Sequence, residues 1–385
     1  MEVYTLDDLL RRQAVFDQFE SLIWTERFVE EGDFELVIRS THESRGAFVT
    51  NTFLAMNESY RVMRVDTVED SVDTDGKATL TVKGLSIESI FRDRVAQESL
   101  GALKYPLVGT PANIARQVFA DICVTKKLDI NDGIPFYVPG NFFPTDTIGE
   151  PTAVVPMVLD PMTLYDALIK ILKPYDLGFR LVRQFDTSKV YFNVYSGSDR
   201  TSSQSTLPAV VFSPDLENLQ NTTALSTAAG AKNVAYVYSD YGNVKVYPLT
   251  VDPDVDGFER RILLVKADIE EGTPAPEAAA LMTQIGEEEL ANHRAFSAFD
   301  GELNQHSTYR YGVDYQLGDL VELRNVDGAT NNMRVTEQIF VSDSEGERSY
   351  PTLAINLFIT PGSWIAWDYN QVWADLGPTE YWADA

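Results

Sequence analysis

Two stretches of this chain share one strand–turn–strand pattern, and that pairing constrains the fold more than any single motif. Residues 61–82 slide onto 334–355 without a gap, at a separation of 273. Arg61/Arg334, Val62/Val335, Val68/Val341, Asp70/Asp343, Thr79/Thr352 and Leu80/Leu353 are identical, six of 22 positions. In the first stretch, Tyr60–Val68 alternates apolar and polar with the period of a half-buried strand. Asp75-Gly76 then supplies a hairpin turn before Ala78–Gly84 returns. Self-similarity of this kind is the usual trace of a duplicated unit.

Most of the remainder also reads as strand. Ser21–Phe28 and Phe34–Arg39 flank the turn at Glu31-Gly-Asp, and 178–182, 189–195, 233–238, 243–247, 320–324, 333–341 and 351–358 continue the pattern. Helical patterns are few. Ile87–Val95 predicts a short amphipathic helix. Thr110-Pro111 is an N-cap followed by Pro at the first helical position, with Ile114, Val118 and Ile122 on one face. Thr163–Lys173 predicts a helix stopped by Pro174, and Pro274–Phe296 the longest one, acidic through Glu287-Glu-Glu. The Ser/Thr-rich run Ser196–Thr206 reads as a surface loop or boundary. The fold class is mainly β with inserted α+β parts.

Charge excludes whole classes of function. Against 58 Asp and Glu stand 31 Lys and Arg, a formal −27, and no basic run exceeds two residues. A phosphate-neutralising groove needs clustered cations, so no sequence-specific nucleic-acid reader and no polybasic membrane binder is expected. No window approaches 18 uninterrupted apolar residues, so no membrane insertion by this chain is expected. The start lacks the basic and apolar regions of a secretory signal, which predicts synthesis and folding in a cytoplasm. The single cysteine, Cys123, cannot form an intrachain disulfide and sits in an apolar helical context, where a buried, inert thiol is expected.

Catalytic constellations are missing from the pattern. His42, His293 and His306 do not share a helical turn, so zinc ligation is not expected. Neither a nucleophile elbow nor a P-loop occurs. Asp252-Pro-Asp-Val-Asp-Gly imitates half of an EF-hand loop, but its twelfth position is Leu263, and an acidic surface turn is the expectation for Asp252–Asp256. Four of five tryptophans, Trp364, Trp367, Trp373 and Trp382, crowd the last 25 residues. They read as a partner-contact surface. The competing reading is a glycan site, in which Asp368 beside Trp367 or Glu380 beside Tyr381-Trp382 would act where a sugar stacks. No catalytic residue, metal or cofactor is assigned, and the chain is not expected to be an enzyme.

A resemblance attaches to particular residues. Leu22–Phe28, Gly32–Ile38, Arg61–Val65 and Leu80–Phe91, joined by Asn233–Tyr238, Glu259-Arg-Arg and Tyr311–Leu323, resemble the tail-hub (minor tail) proteins of long-tailed siphophages, especially those of actinobacteriophages. That family is similar to the baseplate hubs of contractile tails. The resemblance implies a homotrimer whose chains each carry two related β-barrel domains plus smaller inserted domains. The domains implied are 1–100 as the first barrel, 101–212 as an α+β insertion, and 213–240 with 300–360 as the second barrel. Residues 241–299 form an insertion with the long helix, and 361–385 a Trp-rich tail. The implied role is the hub at the distal tail end, joining the sixfold tube and distal tail protein hexamer to the threefold tip and lining or closing the DNA channel. Other tail-tip proteins and the tape measure protein are the remaining implied partners, and the tail tip of the virion the implied location. Larger relatives end in an appended peptidase or muramidase domain that this sequence is not expected to carry, which argues against a cell-wall-degrading role. The alternative is a host-surface glycan-binding or cell-wall-degrading tail protein using the Trp-rich C-terminus.

Overall fold

The computed structural model describes residues 1–140, 146–184, 187–239, 247–250, 257–269, 272–293, 296–303, 309–324 and 330–355. They divide into two compact units, Met1–Ser226 with Ser297–Ile355, and Thr227–Phe296.

In the first unit, strands β1 (Val3–Leu6), β2 (Arg12–Phe16), β3 (Ser21–Arg27) and β4 (Asp33–Arg39) precede a short helix α1 (His42–Ala47). Strands β5 (Phe53–Met56), β6 (Val62–Val72) and β7 (Ala78–Ser86) follow. The alternation at Phe34–Arg39 is realised as alternating burial along β4. The apolar half packs Leu22, Trp24, Phe34, Leu36, Met63, Val65, Leu80 and Val82 into one core. The Asp75-Gly76 turn joins β6 to β7, with Gly76 at φ +81, and Asp73 Oδ1 accepts the N–H groups of Asp75 and Lys77. A positive φ at this point is what selects glycine.

The expected helix at Ile87–Val95 is a 3-10 segment, Ile87–Asp93. After it come β8 (Val95–Ala96), β9 (Tyr105–Gly109), α2 (Pro111–Phe119), β10 (Val155–Leu159), β11 (Met162–Thr163), α3 (Leu164–Leu172), β12 (Gly178–Arg183) and β13 (Val190–Tyr195). Thr110 and Thr163 cap the two helices, accepting from Asn113 N at 3.3 Å and Asp166 N at 3.0 Å. Both helices bury one face. Phe91, Phe119, Phe179 and Phe192 meet in the centre, Phe119 stacked on Phe192 at 3.9 Å. Cys123 is buried beside them, and burial pushes its thiol up to about 12. Leu6, Leu10, Ala55 and Val62 belong to the same core, so the inserted segment is welded to the first strand set.

The chain then forms β14 (Val211–Phe212) and β15 (Leu219–Thr227). The run Ser196–Thr206, expected as a surface loop or boundary, is a loop exposed at Ser202, Ser203, Ser205 and Thr206, and its first part is tied to the sheet. Ser196 and Thr201 are buried, and Leu320 N–H and Arg200 N–H exchange bonds with the Ser198 and Leu320 carbonyls. Small hydroxyl residues permit that close approach while satisfying their own polar atoms.

The second unit holds β16 (Val234–Tyr238), β17 (Tyr247–Thr250), β18 (Ile262–Lys266) and α4 (Ala275–Asn292). The strand order is β17-β16-β18, antiparallel then parallel. Its core gathers Ala235, Val237, Val265, Ala267, Met282 and Leu290.

Back in the first unit, β19 (Phe296–Leu303), β20 (Leu320–Arg324), β21 (Thr330–Asp343) and β22 (Gly346–Ile355) complete the strands. All thirteen strands of the large sheet form one hydrogen-bonded array. Within it the order β3-β4-β7-β6-β5-β1 is repeated as β15-β19-β22-β21-β20-β14. The mapping preserves chain order, β3 to β15, β4 to β19 and β5–β7 to β20–β22, with β14 in the place of β1 but pairing β20 parallel where β1 pairs β5 antiparallel. Both hairpins carry a one-residue bulge at the same place, after the pairs Val65↔Gly84 and Val335↔Leu353. The bulge aligns β6 with β21 at a separation of 270 and β7 with β22 at 269, not at 273. The turn after β6 is one residue longer than the turn after β21, five residues between Val72 and Ala78 against four between Ser342 and Glu347, so no gapless slide fits both strands. The fold is thus mainly β with few helices, and no closed barrel is found among the described strands, because the two sets run on into one sheet through β21 and β3.

Candidate functional site

The most concentrated chemistry lies where β3, β6, β12 and the loop before β20 meet. Arg61 stands one residue before β6, and Glu88 lies in the 3-10 segment after β7. Both are buried and form an ion pair. Arg61 Nη2 donates to the Arg27 carbonyl at 2.9 Å, and Leu181 N–H of β12 donates to Glu88 Oε1 at 2.8 Å. One carboxylate therefore holds the first strand set to the inserted segment. Such a pair gains little over an apolar one, but removing one partner strands a buried charge at a cost of about 3–5 kcal/mol.

Around this pair the polar groups continue. Tyr311 donates its hydroxyl to Glu26 Oε2 at 2.8 Å, linking β3 to the loop before β20. Burial pushes the Glu26 carboxyl above the usual carboxylate range, opposed by the nearby Arg61 charge. The Arg180 guanidinium lies over the Tyr195 ring at 3.9 Å, and burial lowers its affinity for its proton. A cavity with room for about one water is lined by Glu26, Tyr60, Arg61, Arg180 and Tyr311.

The Leu317-Gly318-Asp319 turn shows why that sequence stands there. Leu317 is buried, and Gly318 has φ +89 with the Phe28 ring 2.6 Å from where a Cβ would sit. Asp319 accepts Ser198 N–H at 2.8 Å and Gln316 N–H at 3.0 Å. Its carboxyl is pushed up to about 6 by burial, against those two donors and Arg200 at 3.5 Å. Arg334 Nη1 donates to the Ser196 carbonyl at 2.6 Å and its guanidinium lies 5.1 Å from the Phe28 ring.

This arrangement contains neither a histidine nor a thiol, and its acids and bases bond mostly one another and backbone groups. Among the described residues, Glu26 Oε1 and Glu88 Oε2 are buried without a hydrogen bond. Its chemistry is that of a polar lock between segments distant in sequence. Sequence reasoning used Arg61, Arg334 and Tyr311–Leu323 for the repeat and the resemblance but gave none of them a role in a site. The signal was a charge inside an otherwise apolar strand, as in Gly178-Phe-Arg-Leu-Val-Arg, all of it buried. Trp364, Trp367, Trp373 and Trp382 lie outside the described residues, as do Asp252–Asp256, Asp368 and Glu380. Among the described residues no group of three or more His, Cys, Asp or Glu is placed to hold a metal, and no helix is long and apolar enough to cross a membrane.

Three solved structures share this fold. The tail protein from Neisseria meningitidis MC58 has 12% identity over 94% of this chain and 98% of that one, with a TM-score of 0.59. The prophage MuSo2 43 kDa tail protein from Shewanella oneidensis has 14% identity, coverage of 92% and 98%, and a TM-score of 0.54. The prophage tail protein gp18 from Listeria monocytogenes EGD-e has 12% identity, coverage of 92% and 95%, and a TM-score of 0.51. None of the curated proteins matches the sequence. At the level of sequence, residues 1–353 match the profile described as Siphovirus ReqiPepy6 Gp37-like protein. With that match over nearly its whole length, the chain belongs to the Siphovirus ReqiPepy6 Gp37-like family, phage tail proteins of the siphovirus type.

Proposed function

We propose that this tail protein is the hub at the distal end of a siphophage tail, acting as a homotrimer and without catalysis. The observation that carries the reading is the repeated strand order. A chain with two similar strand sets presents six such sets from three copies, which matches a sixfold distal tail protein on one face. The unequal insertions, 101–212 and 241–299, break that symmetry to threefold on the other. In this reading the segments 1–100 and 213–240 with 300–360 are the two hub β-barrel domains. The tail 361–385, with its four tryptophans, packs on a neighbouring protomer or another tail-tip protein. DNA must later slide through the ring, and sliding requires few cations for phosphates to exchange counterions with. The formal −27 per chain supports an axis lined mostly by Asp, Glu, Ser and Thr.

Electron cryo-microscopy of the tail tip tests the proposal. The expected map places three copies of this chain between the tube and the tip around an acidic or neutral channel. One copy, six copies, or a pore lined by Arg and Lys at this position removes the reading.

A further inference from the structure

Within one chain the two strand sets are joined in a single way. Strand β21 of the second set lies antiparallel to β3 of the first, with Gln338 opposite Glu26, Phe340 opposite Trp24 and Ser342 opposite Leu22. The counterparts of these two strands are left open. The counterpart of β21 is β6, which β7 pairs along its length while β5 reaches only Val62–Arg64. From Asp66 onward no described strand lies on that side, and Glu69–Val72 are exposed. The counterpart of β3 is β15, which ends the sheet order and pairs with β19 alone among the described strands.

The open edge of β6 also has the same hydrogen-bonding phase as the occupied edge of β21. The Asp73 N–H donates to the Lys77 carbonyl at 3.0 Å, and the Ala78 carbonyl turns the other way to accept from Ser40. Alternation along an antiparallel pair then points the N–H and C=O groups of Val68, Asp70 and Val72 away from β7. Counted from the shared bulge, these three are the counterparts of Gln338, Phe340 and Ser342.

We infer that the chain binds a second copy of itself by strand addition, β15 of one copy lying antiparallel on the β6 edge of the next. The contact repeats between chains the junction that β21 and β3 make within one. It is heterologous, so it runs head to tail around a ring and does not close on a dimer. Charge agrees with this choice of occupant. The β6 edge carries Asp66, Glu69 and Asp70, whereas Leu219–Thr227 contains no charged residue. Two β6 edges placed against each other would set like charges opposite one another. The pairing also covers an edge that would otherwise template aggregation. The inference rests on the hub reading for the number of copies that close the ring.

Disulfide trapping in assembled tails tests it. Ser71 is the counterpart of Val341, which sits opposite Ile23, at a position where antiparallel Cα atoms come closest. Virions are prepared with Ser71→Cys combined in turn with Thr222→Cys, Thr223→Cys or Ala224→Cys, and with each single variant. The Ile23→Cys/Val341→Cys pair serves as the intrachain control, and buried Cys123 stays in place. The expected result after oxidation is covalent trimers from one of the double variants and monomers from every single variant. Monomers from all three double variants while the control cross-links, or dimers from Ser71→Cys alone, overturn the inference. A second variant, Val72→Pro, removes only an outward N–H and keeps the β6–β7 ladder. It is expected to lower incorporation into tails at least tenfold with an unchanged melting temperature of the purified chain, and normal incorporation contradicts the proposed edge. Three copies in the tail-tip map joined through other strands would refute this inference and leave the hub reading standing. One or six copies would refute the hub reading itself.

Discussion

Asp319 carries a pH dependence whose sign follows from its burial. Its carboxyl titrates near 6 in the fold and near 3.8 in a solvated chain. Because the folded value is the higher one, the contribution to stability is complete below about pH 4 and is lost as the pH rises through 6. The difference corresponds to about 3 kcal/mol. Urea unfolding from pH 4 to 8 should therefore show wild-type stability falling by about that much relative to Asp319→Asn. A flat or rising difference contradicts the assignment. At this scale the sequence was legible only in part. Leu317-Gly318-Asp319 lay inside the stretch Tyr311–Leu323 that carries the family resemblance, but that Gly318 makes room for the Phe28 ring required knowing that the two meet. Arg61 and Glu88 are 27 residues apart, and Glu88 and Leu181 are 93 apart. No local pattern pairs residues over such spans.

Elements were legible wherever their determinants are local. Thr110 and Thr163 each announce a helix because a capping hydroxyl and the apolar spacing after it act within one turn. Helix α3 buries Leu164, Tyr165, Ala167, Leu168, Ile171 and Leu172, so its start is set by the cap and its position by packing. Thr163→Ala should lower stability by about 1 kcal/mol and Thr163→Ser by much less, read from denaturant midpoints at constant slope. Equal loss in both variants would show that the hydroxyl bond to Asp166 N contributes nothing. The segment after β7 was predicted as a helix and forms a 3-10 turn, because Glu88 and Phe91 are drawn into the core together. Helix α1 escaped the sequence reading altogether. Its capping box is Thr41 with Ser44, and one turn of polar residues offers no apolar period to detect.

Across the whole molecule, the repeat is the feature that matters for assembly, and the Trp-rich tail is the segment it leaves unaccounted for. Four tryptophans within 361–385 are more apolar surface than an isolated segment of that length can bury by itself. Deleting 361–385 should reduce incorporation of the chain into tails severalfold while leaving the melting temperature of the remaining chain unchanged. Full incorporation of the truncated chain, or a large fall in melting temperature, contradicts the assignment of the tail to a partner. The same scale explains why the duplication was visible in sequence while its register was not. Alternation repeats every two residues and survives divergence, so two similar hairpins remain recognisable. The bulge falls at the same place in both hairpins and the turns differ by one residue, so the equivalence is 270 residues along the first strand and 269 along the second, and the gapless offset of 273 matches neither.

By itself the sequence determined the class of the protein: a strand-rich, acidic chain with two hairpins of like pattern, few helices and no catalytic pattern. It did so because alternation, caps and charge act over a few residues and are written directly in their order. Only the tertiary structure decided that the inserted segment shares the first core, that Arg61, Glu88 and Asp319 are buried, and that the two strand sets continue into one sheet through β21 and β3. Those outcomes depend on which surfaces exclude water together and which backbone edges find a partner. Both are properties of the assembled chain and of no single stretch of it.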